Sequence, residues 1–154
     1  MKYSAPILDY TKKSSFLHQV FYPPIFCTNP ITPMGAKLIA VADAVHFECI
    51  CLDTGYIFDK IGLIIYNSAP VNGVTIAIDI KITRPGYSYP EDDTTESHLL
   101  LPETNIITYY DLVYAGIIMI PGGIITVEGI VTNIVAPEKT YILGVMLIYS
   151  GRSI

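Results

Sequence analysis

Val74-Thr75-Ile76-Ala77-Ile78-Asp79-Ile80-Lys81-Ile82-Thr83 is the stretch that decides the fold. Valine or isoleucine fills every even position, and a small, hydroxylated or charged residue every odd one. Successive side chains of an extended chain point to opposite faces, so a period of two sorts this segment into one apolar and one wet face, whereas a helix would wind the isoleucines round every side. The segment reads as a half-buried strand. A slip of one residue would turn all its apolar side chains into water, which fixes its register.

Working outward, Asn72-Gly73 tolerates positive φ and reads as the hairpin turn that follows an Ile-rich strand over Tyr56–Tyr66. Upstream, Val45–Leu52 alternates again, with Val45, Phe47, Cys49 and Cys51 on one face and His46 and Glu48 on the other, before the turn Asp53-Thr54-Gly55. Downstream, Arg84–Pro102 holds Pro85-Gly86, Pro90 and the acids Glu91, Asp92, Asp93 and Glu96 with little periodicity, so it reads as a long exposed loop. Strands Ile106–Tyr114, Gly116–Ile120, Ile124–Val135 and Thr140–Ser150 follow, separated by Pro121-Gly122-Gly123, read as a hairpin, and by Ala136-Pro137-Glu138-Lys139. Only Ala36–Ala44, with its alanines, competes for a helix. Seven or eight strands divided by Gly, Pro and Asn turns, with no helix between them, predict an all-β chain: a β-sandwich of jelly-roll type.

Residues 1–35 differ from the rest. They carry Pro6, Pro23, Pro24, Pro30 and Pro33 among Tyr3, Tyr10, Phe16, Phe21 and Tyr22. Proline removes the backbone donor and fixes φ, which excludes a long helix or a central strand, while the aromatics argue against a plain solvated linker. The expected organisation is an extended N-terminal arm lying on something, then a sandwich domain over 36–154.

A chain of 154 residues is one domain by length. Its 51% hydrophobic and 15% charged residues and mean hydropathy of +0.47 exclude disorder, yet the longest apolar candidate, Tyr109–Ile125, is cut by Asp111, Pro121, Gly122 and Gly123, so no membrane span is expected. Lys2, Pro6, Asp9, Lys12 and Lys13 interrupt the N-terminus, and no secretory signal is expected there. A net charge of -5 with scattered basic residues makes nucleic acid a poor partner. The 25 isoleucines exceed what inner faces alone would consume. Consecutive apolar residues in Gly116–Ile120 and Ile124-Ile125 ask for cover on both faces, which predicts a closed homo-oligomer, a trimer by preference.

No constellation of residues specifies a reaction. Cys49 and Cys51 share a strand face and His46 takes the other, so no zinc site forms and Cys27, Cys49 and Cys51 read as structural thiols. His18, His46 and His98 have no nucleophile-elbow pattern nearby. The acidic cluster has no calcium-loop spacing and reads as a solvated loop, and Gly122-Gly123 lacks the context of a phosphate cradle. No catalytic residue, metal or cofactor is expected. Tyr87 and Tyr89, flanking Ser88, are the candidate ligand contacts, because tyrosine offers a flat apolar ring with a hydroxyl that suits a glycan or a partner protein.

Phe58-Asp59-Lys60-Ile61-Gly62, followed by a small-residue turn and the strand through Ala77-Ile78-Asp79-Ile80, resembles the sandwich domains of bacteriophage fibre and other virion surface proteins. Pro137-Glu138-Lys139-Thr140-Tyr141-Ile142-Leu143-Gly144-Val145 is similar to the turn and Tyr-containing strand of those domains. The resemblance implies a non-enzymatic virion component (capsid, decoration or fibre subunit), usually a trimer, anchored to other virion proteins by its N-terminal arm; no functional residue carries over. The alternative from the residues themselves is a carbohydrate-binding or adhesin module that recognises a host surface glycan.

Overall fold

The computed structural model describes residues 17–50, 56–68, 72–83, 85–86, 92–100, 106–114, 117–119 and 122–153. The strands are β1 (Leu17–Tyr22), β2 (Phe26–Cys27), β3 (Ala36–Leu38), β4 (Ala44–Ile50), β5 (Tyr56–Ser68), β6 (Val74–Thr83), β7 (Asp92–Leu100), β8 (Ile107–Tyr114), β9 (Ile117–Met119), β10 (Ile124–Asn133) and β11 (Lys139–Ser153). They make two antiparallel sheets. The first runs β1-β11-β5-β8, with β3 also on β11 and β9 also on β5; the second runs β2-β4-β10-β6-β7. The chain is an all-β sandwich. No helix is found among the described residues, and so none there is long and apolar enough to cross a membrane.

In β6, Val74, Ile76, Ile78, Ile80 and Ile82 are buried, and the intervening residues are half-buried on the other face. They meet Val45, Phe47 and Cys49 of β4 and Ile125, Val127 and Val131 of β10. Opposite stand Ile61, Leu63 and Ile65 of β5, Leu112 of β8, and Ile142, Val145 and Leu147 of β11. Each fully buried aliphatic side chain contributes roughly 1.5–3 kcal/mol relative to exposure. The two inner faces together form one continuous core.

Two turns read as hairpins are something else. Asn72-Gly73 lies between β5 of the first sheet and β6 of the second, and Gly122-Gly123 between β9 of the first and β10 of the second. Both are crossings between sheets. Gly73 does take the positive φ expected, 78°, but positive φ reverses the chain without choosing its next partner. Among the described strands only β6 and β7 are both consecutive and paired, and it is this repeated crossing that gives the sandwich its jelly-roll character.

The expected loop Arg84–Pro102 also needs correction, since Asp92–Leu100 is β7, paired with β6 from Val74↔Leu100 to Ile82↔Asp92. Acids lower β-propensity, but β6 offers a free edge, and an edge strand tolerates charges that a central one does not.

The sandwich likewise begins before residue 36. β1 pairs with β11 over six residues and β2 hangs on β4 through Phe26↔His46 and Cys27↔Val45. The prolines keep these segments out of central positions, as expected, but not off the edges, and Pro23-Pro24 falls where the chain leaves one sheet for the other. Tyr22, packed against the core, donates its hydroxyl to the Ile50 carbonyl on the opposite sheet at 3.3 Å. Ala36–Ala44 is not a helix. Ala36 and Leu38 pair with β11, and the next turn closes on Asp43, 6% exposed, whose Oδ2 accepts hydrogen bonds from Ile39 N (2.8 Å), Ala40 N (2.9 Å) and Asn29 Nδ2 (2.8 Å).

Candidate binding face

Tyr87 and Tyr89 lie outside the described residues. Cys51 also lies outside the described residues, and the other two thiols behave as structural groups. Cys27 and Cys49 are free, and burial, helped by the charge of Glu48, pushes the Cys49 thiol up to about 12, which removes it as a nucleophile near neutrality. Burial also raises Cys27. Among the described residues no serine or cysteine is hydrogen-bonded to His46, whose contacts are carboxylates, or to His98, which meets Tyr110 and Glu96.

What the structure brings together is a row of polar side chains on the outer face of the second sheet. Register aligns Phe26, His46, Glu128, Asp79 and Thr95 across β2, β4, β10, β6 and β7. Because neighbouring strands are about 4.8 Å apart and alternate residues share a face, this row forms a continuous ladder. His46 Nδ1 lies 3.0 Å from Glu128 Oε1, and its Nε2 lies 3.4 Å from Glu48 Oε1. Thr95 Oγ1 donates to Asp79 Oδ1 at 3.2 Å, and Lys81 Nζ lies 3.2 Å from Asp79 Oδ2. The two nitrogens of His46 point apart, so Glu48 and Glu128 do not converge on one point; among the described residues no group of three such side chains could hold a metal ion.

Beside the ladder a groove of about 330 Å³ opens, lined by Phe26, Ala44, His46, Glu128 and Ile130. Phe26 is 56% exposed and Ile130 48%, so one wall is an apolar surface and the other an imidazole and a carboxylate. Sequence reading missed these residues as a group. Phe26 belongs to the Pro-rich segment, and His46 and Glu128 are 82 residues apart; only the shared outward parity of each in its own strand hinted at a common face.

The outer face of the first sheet is different. Phe21 lies opposite Met146, and its ring sits where a side chain at Gly144 would stand; the ring of Tyr109 covers Gly62 in the same way. Tyr66 and Tyr141 are cross-strand neighbours with ring centroids 6.1 Å apart. The Tyr109 hydroxyl is buried with no hydrogen-bond partner among the described residues, and burial, with the charge of Asp111, pushes it up to about 12. Where the edges of the two sheets meet, His98 and Tyr110 pack edge to face with centroids 5.6 Å apart and close the core.

No family model matches the sequence, and no curated protein matches it. Among solved structures the chain is similar to a family two carbohydrate esterase from Cellvibrio japonicus, at 12% identity and a TM-score of 0.47 over 90% of this chain and 34% of that one. It is also similar to the carbohydrate-binding module CBM36 in complex with calcium and xylotriose, at 14% identity and a TM-score of 0.39 over 85% and 98% of the two chains. A third is the CBM36-1 domain of a multidomain xylanase from the hindgut metagenome of Trinervitermes trinervoides, at 15% identity and a TM-score of 0.43 over 86% and 96%. The chain spans about a third of the esterase's length. Likeness at this level says nothing about ligand or activity.

Proposed function

We propose that this chain is a non-enzymatic β-sandwich binding module that takes a carbohydrate on the outer face of the second sheet. One observation carries the reading: an exposed aromatic ring, Phe26, borders the same groove as His46 and Glu128. A sugar ring has an apolar face of C–H groups and a rim of hydroxyls, and binding sites for such ligands combine apolar surface with a few polar groups that fix orientation. Carboxylates and imidazole accept from or donate to hydroxyls, and the ring covers the C–H face. The test is affinity electrophoresis of the full chain against a panel of soluble polysaccharides, repeated with Phe26→Ala. Retardation by at least one polysaccharide, lost in the variant, is the expected result; no retardation by any, or retardation indifferent to Phe26→Ala, overturns the reading.

A second reading, a homo-oligomeric virion subunit, is supported by the aromatic and aliphatic outer face of the first sheet, with Phe21, Met146, Tyr66 and Tyr141. Obligate interfaces are more apolar than ordinary surfaces. A trimer or other closed oligomer by light scattering at micromolar concentration, dissociated by Phe21→Asp, is expected on this reading, and a monomer refutes it.

A further inference from the structure

We propose that the ligand of the groove carries a protonated amine: an amino sugar rather than a neutral or acidic one. This rests on the carbohydrate reading above and narrows it. Among the described residues of this face, Glu48, Glu128 and Asp79 stand against a single lysine, Lys81, and that lysine lies 3.2 Å from Asp79. Among the described residues, Glu48 and Glu128 meet no lysine or arginine; each lies against the His46 imidazole, at 3.4 and 3.0 Å. A carboxylate-bearing sugar would therefore meet like charge, and a neutral hydroxyl would bring charge on the acceptor side alone. An ammonium group has three donors and no acceptor, and its hydrogen bonds to carboxylate are roughly twice as strong as neutral ones.

The apolar wall points the same way. Phe26 is paired across the strands with His46 and shares the groove with Glu128. The face of an aromatic ring attracts a cation through its quadrupole. An aromatic ring and a carboxylate on one groove suit a cation attached to an apolar body, which describes a hexosamine unit with its amine free.

The experiment is calorimetric titration of the full chain at pH 6 with a glucosamine tetramer, its fully N-acetylated counterpart, cellotetraose and trigalacturonate, with spermidine as a control cation. The glucosamine tetramer should bind about tenfold more tightly than its acetylated form, the size expected of one charge-assisted hydrogen bond, and Glu128→Gln, which keeps an acceptor in the groove but removes its charge, should erase that margin. The wild-type comparison stands even if the variant fails to fold. Equal affinity for the free and acetylated tetramers, or tighter trigalacturonate binding, overturns the amine inference while leaving the carbohydrate reading intact. Spermidine as tight as the tetramer overturns the inference in favour of a general cation site, and no binding of any sugar removes both.

Discussion

The two outer faces of the sandwich are made by the same alternation and end with different chemistry. On the second sheet the outward positions carry His46, Glu48, Asp79, Lys81, Thr95 and Glu128, in two clusters of polar contacts, one about His46 and one about Asp79. On the first, Phe21 and Tyr109 lie flat over Gly144 and Gly62, and Tyr66 packs on Tyr141. The first face rests two of its rings on its own glycine backbone and so contributes to the fold's stability. The second leaves an aromatic ring and two carboxylates to the solvent, where they add little stability and are available for contact. The surplus of apolar residues in the composition is thus spent on both outer faces: Phe21 and Ile107 stay exposed on the first, Phe26, Ile50 and Ile130 on the second.

That difference makes the first face the one that should break most readily. A side chain at Gly62 would run into the Tyr109 ring and approach the Tyr110 carbonyl to 2.5 Å. Gly62→Val should therefore force β5 and β8 apart and cost about 3 kcal/mol or more, since overpacking against backbone cannot relax through a rotamer change. A thermal melt checks it; a variant as stable as the parent would mean that Tyr109 does not cap the strand.

The next effect falls where the groove's aromatic wall is hung on the second sheet. Asp43 gathers Asn29, Ile39 and Ala40, and beside it Thr28 N and Ile25 N bond to the carbonyls of Ala44 and His46 on β4 at 2.9 Å each. Asp43→Ala should cost about 2–3 kcal/mol, because it leaves two backbone donors of a tight turn without their charged acceptor. Burial alone would raise this carboxyl, but the hydrogen bonds from Ile39, Asn29 and Ala40 outweigh it and hold it below the usual carboxylate range. A group with a depressed folded value stabilises the fold above its unfolded value and loses that contribution as pH falls through the folded one. The parent should thus lose stability in acid below about pH 4, and Asp43→Asn should show a shallower acid dependence in melts between pH 2 and 7.

A gain of stability is expected at the Tyr109 hydroxyl, which is buried without a partner among the described residues. Tyr109→Phe keeps the ring over Gly62 and removes the unsatisfied group, so the fold should gain about 1 kcal/mol. A loss would mean that the hydroxyl has a partner in the folded protein.

The alternation over Val74–Thr83 made the fold class legible, because a period of two in a half-buried segment has one physical meaning. What stayed hidden was partnership. Asn72-Gly73 bends the chain identically whether it joins neighbours in one sheet or crosses between two, so local residues could not assign β5 and β6 to different sheets. Asp92–Leu100 hid a strand behind its acids because an edge position relaxes the composition rule. Leu17–Tyr22 was hidden for the related reason that prolines forbid central strands and permit edges. The groove was beyond reach, since its parts come from β2, β4 and β10, which only the register between strands brings together.

The smallest effect expected is at the far end of the ladder. Thr95 Oγ1 donates to Asp79 Oδ1 at 3.2 Å in an exposed setting, and Asp79 keeps Lys81 at 3.2 Å. Water replaces the lost partner when Thr95 becomes alanine, so no buried group is orphaned, and an exposed substitution of this kind changes stability by no more than about 0.5 kcal/mol. Three strands also separate Thr95 from Phe26, and Thr95 lies outside the groove lining, so Thr95→Ala should leave polysaccharide retardation unchanged while Phe26→Ala abolishes it. Melts and affinity electrophoresis on the two variants together separate a ladder that acts as one extended binding surface from a groove that acts alone. Loss of binding in Thr95→Ala at parental stability would extend the contact surface across all five strands of the sheet, and a large drop in melting temperature would show that this polar face, too, holds the sandwich together.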